Sequence, residues 1–264
     1  MNAVDVHSGC LRASRSNCRV NDEYELIDLR TDVSLSAKRQ ELCEAFYKDV
    51  YLKAFSKPGQ SESPGTWLPL MNSDLPPPSP ILHLIVARRK SGQDADQVIG
   101  GIVIEYFRGS RTALVTYLVV APEARRRGLA RRLLDAAVQK VTADNGDKRP
   151  LILGEVERPE AQASGADRAQ AVARLGIIGS LGGLLVVIDY VQPSLGEGKP
   201  PLDDLSLVTF PARGAATKSL RATQLKTFIA EFYESLEQGG SPEQQRVLRS
   251  LSKMRISVRA LVAQ

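Results

Sequence analysis

Between Ala113 and Val141 the spacing of apolar residues changes period. Ala113 to Val120 is rich in Val, Leu, Thr and Tyr, the composition of a buried strand. Leu129, Leu133, Leu134, Ala137, Val138 and Val141 then fall on one face of a helix about four turns long. A third apolar stretch, Leu151 to Val156, reads as a strand again. Strand, helix, strand in close succession commits the chain to a mixed α/β sheet and excludes both a helical bundle and an all-β sandwich.

The rest of the chain fits around that unit. Glu25 to Leu29 forms a short first strand, and Ser36 begins a helical stretch to about Phe55. Lys57 to Pro80 is rich in Pro, Ser and Gly and reads as a long loop carrying Trp67, the only tryptophan. Ile81 to Ala87 and Val98 to Phe107 precede the central strand as a meander. Beyond it come a helix from Ala166 to Leu175, a strand from Leu184 to Tyr190, a loop from Pro193 to Pro201 and a last strand from Leu205 to Phe210. Helices are expected over 217–237 and 242–261, the second carrying Leu248, Leu251, Met254, Val258 and Leu261 as an apolar stripe. With 264 residues, one large domain suffices: a flexible leader over 1–22, an α/β (α+β mixed sheet) domain over 23–212 and a C-terminal helical extension over 213–264.

Charge is concentrated. The net +5 divides into +5 from the arginines of 125–132, +4 from residues 241–264, and about −4 from everything else. A basic pI near 9.1 is therefore a local property, not a surface built for polyanions. Three cysteines without a C-x-x-C pair argue against a disulfide scaffold or a zinc site, and two histidines exclude a multi-histidine metal centre. The longest apolar run, Leu175 to Ile188, is too short and too rich in glycine to span a membrane. Together these indicate a cytoplasmic protein without a metal or a membrane partner.

The chemistry gathers in the turn between strand and helix, residues 121–132, APEARRRGLARR. A helix start presents unpaired amides and partial positive charge, which suits phosphates. Gly128 and the small Ala130 allow a ligand to approach the backbone, and Arg125, Arg126 and Arg127 add charge on the approach. Two other glycine-rich stretches, around Gly176 to Gly183 and Gly196 to Gly198, match neither a dinucleotide fingerprint nor a P-loop and read as loops.

This segment resembles the central motif of the GCN5-related N-acetyltransferase (GNAT) superfamily, Arg/Gln-x-x-Gly-x-Gly/Ala, here Arg125-x-x-Gly128-x-Ala130, with a Val-x-Pro turn before it and the amphipathic helix after it. The element order on both sides also resembles the family over about 24–210. The resemblance implies acetyl-CoA as cofactor, released as CoA. Its diphosphate would lie on the amides of Arg125, Arg126, Arg127, Gly128, Leu129, Ala130 and Arg131, and its pantetheine along Leu118, Val119 and Val120 as an added strand does at a sheet edge. One such amide would polarise the thioester carbonyl.

The implied reaction is acyl transfer to an amine. Freeing an alkyl ammonium of its proton at pH 7 costs about 4.6 kcal/mol, so a proton acceptor is needed. Family members that carry a Glu on the central strand would have it at Leu114, where none exists; others carry Glu-Val on the next strand, here Glu155-Val156. Glu155 shares the face of Leu153 by strand alternation and is the first choice for base, with Glu157 and Glu105 behind it. The family's usual acid, a tyrosine, falls on Ile178; Tyr190 or Tyr117 would have to substitute, unless the thiolate leaves without an acid. The acceptor pocket would be made by the loop around Trp67 and by Gln192 to Pro201, with Trp67 either a pocket wall or an anchor for its loop. The resemblance leaves the acceptor open as a small-molecule or peptide amine, and is compatible with a homodimer. Two rival readings remain: a non-catalytic acyl-CoA sensor, motivated by Ile178 and Leu114, and nucleic-acid association through the basic tail, disfavoured by the lack of interleaved aromatics.

Overall fold

The computed structural model describes residues 23–55, 62–72, 74–196 and 198–261; the leader expected over 1–22 lies outside the described residues. Strands β1 (Tyr24–Asp28), β2 (Ile81–Arg89), β3 (Val98–Phe107) and β4 (Thr112–Val120) form an antiparallel meander, and β5 (Leu151–Glu157) runs parallel to β4. On the far side lie β6 (Leu184–Val186), β7 (Leu205–Thr209), β8 (Ser219–Arg221) and β9 (Arg255–Ala260), giving one mixed sheet in the order β1-β2-β3-β4-β5-β7-β6-β9-β8. The expected mixed α/β fold is the one observed.

Alternation along the strands builds two faces. Ile102, Ile104, Tyr106, Ala113, Val115, Ile152 and Val156 point to the back, where α3 (Leu129–Asp144) buries all six of its periodic apolar residues. Each of the five Leu and Val burials contributes about 1.5–3 kcal/mol, which is what holds the helix down. The helix α4 (Gly165–Ser180) packs on the same cluster through Leu175 and Ile178. The front carries two separate apolar clusters. One surrounds α1 (Ser36–Phe46), its π-helical continuation Tyr47–Tyr51, and α2 (Pro64–Asn72). The other surrounds α5 (Ala222–Ser235) and α6 (Pro242–Ser250). Gly101 lets α1 settle onto β3: an added Cβ would lie 2.6 Å from the Phe46 ring.

His83 is buried between two carboxylates, its Nδ1 2.7 Å from Asp28 and its Nε2 2.8 Å from Asp144. Burial by itself would lower its pKa, but the two acids outweigh burial and raise it. This ion cluster ties β1, β2 and α3 together and leaves His83 no catalytic freedom; His7 lies outside the described residues.

Several elements differ from the sequence expectation. Part of the long loop is helix α2, because Trp67 and Met71 sit at i, i+4 spacing and both bury on the front cluster. The helix expected at Ala166 to Leu175 continues to Ser180, across Gly176 and Gly179. The strand expected to reach Tyr190 leaves the sheet after Val186, and Leu205–Thr209 is not the last strand. In the tail, α6 stops at Ser250 and residues 255–260 form β9, which pairs with both β6 and β8. The tail thus enlarges the sheet. Helix α5 also reaches back to the β3–β4 hairpin, where Glu231 accepts from the amides of Gly109 (2.7 Å) and Ser110 (2.6 Å).

Candidate active site

The parallel pairing of β4 with β5 lasts four residues, from Thr112↔Leu151 to Val115↔Gly154, and then stops. Thr116 and Glu155 are therefore the first residues on either side of a wedge. Thr116 is also an extra residue: β3 pairs Ile104 with Val115 and Val103 with Tyr117, which leaves Thr116 as a bulge. The bulge exchanges the faces of β4, so that Leu114 before it and Tyr117 and Val119 after it all face the front. Leu118 and Val120 pack towards α3.

The open edge of β4 presents backbone groups to the wedge. Ala121 donates its amide to Ile99 of the neighbouring strand, so by alternation residues 118 and 120 turn their amides and carbonyls the other way, into the wedge. Val119 pairs with Gly101 in the ladder and is turned away from it. Of the three expected pantetheine contacts, Leu118 and Val120 have their backbone at the open edge, and the Val120 carbonyl accepts from Arg125 Nε at 3.0 Å.

Beyond β4 the turn is shaped as an anion cradle. Arg126 (φ 61°) and Gly128 (φ 76°) are both left-handed, and Gly128 caps α3, with no atom within 4 Å of where its Cβ would be. Among the described residues no backbone hydrogen bond uses the amides of residues 126–131. Unused amides at a helix start, following left-handed residues, form the kind of nest that takes phosphate oxygens. The residues present therefore fit the diphosphate of a CoA ester. The arginine side chains are less available than their number suggests. Arg127 pairs with Glu23 at 3.3 Å, Arg131 donates to the Ser180 carbonyl at 3.0 Å, and Arg132 lies 4.4 Å over the Tyr24 ring. Among the described residues, Arg126 alone of the five shows no side-chain partner.

On the front, Glu155 meets two donors. Tyr190 donates its hydroxyl to Oε1, and Gln192 Nε2 donates to Oε2 at 2.7 Å. The two side chains expected to do catalysis are thus hydrogen-bonded to each other. Burial pushes the Glu155 carboxyl up to about 7, against the two hydrogen bonds that lower it. Burial and the neighbouring Glu155 raise Tyr190 well above its ordinary range. The segment carrying both donors is clamped by the C-terminal helices: Tyr233 donates to the Val191 carbonyl at 2.8 Å, and the Gln238 amide brackets Ser194 at 2.9 and 2.6 Å. Gln192 itself pairs through its backbone with Leu202.

Glu157 is ion-paired with Arg174, which removes it as a base. Glu105 is on the front face of β3 between Val103 and Phe107, its Oε2 3.5 Å from Thr116 Oγ1 at the bulge. Burial, then Glu62, then Glu155 push Glu105 up to about 8. Glu62, just before α2, is a third carboxylate here, and burial raises it too. Trp67 Nε1 donates to Glu62 at 3.1 Å, so Trp67, fully buried, anchors its helix and aims a carboxylate; it is not an exposed wall. Tyr117 is packed edge-on against Tyr51 (4.9 Å) and Phe55 (5.2 Å), with burial, Glu62 and Tyr51 holding its hydroxyl protonated. Ile178 lies within α4, against the back cluster. From the sequence, Gln192 and the loop of Glu62 are expected only as parts of the acceptor pocket, and Thr116 not at all, because nothing in their local sequence places their side chains against Glu155 or Glu105. Among the described residues no group of three or more His, Cys, Asp or Glu side chains could hold a metal ion.

Residues 45–174, just under half of the chain, match the model of the Acetyltransferase (GNAT) family. None of the curated proteins matches it in sequence. Among solved structures, one assigned to the GNAT acetyltransferases from Bacteroides thetaiotaomicron superposes with a TM-score of 0.50 at 18% identity, covering 82% of this chain and 98% of that one. Another assigned to the same family, from Desulfovibrio desulfuricans, gives 0.41 at 16% identity, covering 70% and 97%. The first shares the fold; the second superposes too loosely to bear on the site.

Proposed function

We propose that this chain, whose residues 45–174 match the model of the Acetyltransferase (GNAT) family, is an acetyl-CoA-dependent N-acetyltransferase acting on the primary amine of a small-molecule or peptide acceptor. The observation that supports this most is the wedge: β4 and β5 part directly before Thr116 and Glu155, with an unused nest of amides at the start of α3 beyond it. In this reading residues 126–131 hold the diphosphate by their amides, and Leu118 and Val120 pair with pantetheine. When bound, acetyl-CoA would supply the activated acyl thioester. Glu155 accepts the ammonium proton at a carboxylate oxygen, with a pKa near about 7 that suits proton exchange at neutral pH. Tyr190, which donates to Glu155 Oε1, would give its own proton to the leaving sulfur and be re-protonated from Glu155; Glu155, freed again, would take the second proton shed by the acylated nitrogen and release it to solvent. Gln192 holds the carboxylate in place throughout. The described residues include no helix long and apolar enough to cross a membrane; three cysteines without a C-x-x-C pair support a cytoplasmic setting.

The test is thiol release from acetyl-CoA, followed with a thiol reagent across a panel of primary amines. Release that depends on the amine and saturates with it is the expected result. A sensor that only binds acyl-CoA, the rival suggested by Ile178 and Leu114, would show cofactor binding with a release rate independent of every amine offered.

A further inference from the structure

Glu62, Glu105 and Glu155 reach the front of the wedge from three elements, the segment before α2, β3 and β5: Glu105 lies 3.5 Å from Thr116 at the bulge, Glu155 follows the last β4–β5 pair, and Glu62 bonds to Trp67, whose ring is 5.9 Å from that of Tyr117 on β4. They act on one another. Glu62 and Glu155 both raise Glu105, and Glu62 raises Glu155. Two of the three are otherwise provided for. Glu155 has Tyr190 and Gln192; Glu62 has Trp67 and the positive field of Lys199. Glu105 has only the long contact with Thr116, and among the described residues no cationic side chain lowers it.

One carboxylate is enough to take an amine proton. Three carboxyls face, among the described residues, a single lysine in a half-buried cleft, so burial and mutual repulsion push them towards their neutral forms rather than let all three ionise. A bound cation would favour the ionised forms again, which is expected of a site that meets its counter-charge in a ligand. Among the described residues no group of three or more acidic, His or Cys side chains could hold a metal ion. Separate carboxylates on separate strands instead match positive charges spaced along an organic chain, and outside its two basic segments the sequence carries about −4, which favours approach of a cation.

Resting on the acyl-transfer reading of this cleft, we propose that it selects an acceptor with at least two ammonium groups, a diamine or longer polyamine: the reacting amine lies at Glu155 while Glu105, with Glu62, holds a second ammonium. Glu105 is then a specificity-determining residue.

The test is isothermal titration calorimetry on the full chain, with and without CoA, using 1,4-diaminobutane and butylamine as probes. The expected result is binding of the diamine about tenfold or more tighter than the monoamine, with the ratio falling to about twofold or less in Glu105→Gln. Gln preserves the volume of Glu and replaces a carboxyl that burial and its neighbours hold in the neutral form, so the variant should melt no lower than the wild type; if it misfolds, Glu62→Gln is expected to reduce the same ratio. Equal affinity for the two probes in the wild type, or a diamine preference undiminished in both variants, overturns the proposal. Selective, Glu105-dependent diamine binding without thiol release leaves this proposal standing and sinks the acyl-transfer reading. Thiol release at equal kcat/KM for the two amines does the opposite.

Discussion

Glu155→Gln is expected to lower kcat for amine acylation by about 10²- to 10⁴-fold, the usual worth of a general base. In the wild type, activity should fall as pH drops below about 7, because burial holds the carboxyl protonated there and a protonated Glu155 cannot accept the ammonium proton. The variant should lose that inflection as well as the rate. Its stability should move in the opposite direction. A carboxyl whose folded pKa is raised is favoured in its protonated form on folding, so the wild type loses stability as pH rises from the unfolded value, about 4.3, to about 7. Gln carries no such charge, so above pH 7 the variant should melt no lower than the wild type, apart from the mismatch its amide makes with Gln192. Steady-state rates across pH, with melting curves at the same pH values, check both signs. Unchanged kcat with the inflection retained would remove Glu155 from the proton path.

Gly128→Asp is expected to weaken acetyl-CoA binding by about 10³-fold or more. The residue is left-handed and faces open space, so a side chain meets no atom of the protein itself; the local strain is about 1–2 kcal/mol. The larger effect is electrostatic. A carboxylate set at the amides that take the diphosphate repels it by about 4 kcal/mol at 4 Å and intermediate dielectric. Gly128→Ala separates the two contributions, since it carries the strain without the charge and should bind acetyl-CoA far better than the Asp variant. Thermal shift against acetyl-CoA concentration reads both: a rise in melting temperature for wild type and Ala, and none for Asp at the same concentration.

The parts legible in the sequence are those in which local pattern and tertiary role coincide. The change of period between Ala113 and Val141 gave β4, the turn and α3, because a buried strand and a one-sided helix have different repeats. Alternation along β5 puts Glu155 on the face of Leu153, which is the front. Other features depended on what lay opposite. The bulge at Thr116, which turns Tyr117 and Val119 to the front, is a property of the ladder between two strands and leaves no mark on one of them. The convergence of Glu62 and Glu105 on Glu155 joins segments far apart in the chain, and no spacing rule reaches across them. In the tail the signal was present but overridden: Leu248 and Leu251 at helical spacing were extended through Met254 and Val258, whereas Ile256 and Val258 alternate with polar residues as a strand does. Met254, taken as part of the stripe, is 90% exposed. The arginine run was legible as a charge cluster, but not that Glu23, Ser180 and Tyr24 would engage three of its members.

Amide hydrogen exchange with and without acetyl-CoA tests the central claim most directly, because that claim concerns identified backbone groups. Binding in the wedge predicts added protection at the amides of 118 and 120 and across 126–131, with β1 and β2 unchanged. Protection elsewhere, or none at a saturating concentration of acetyl-CoA, would contradict the assignment of the wedge between β4 and β5 as the cofactor site.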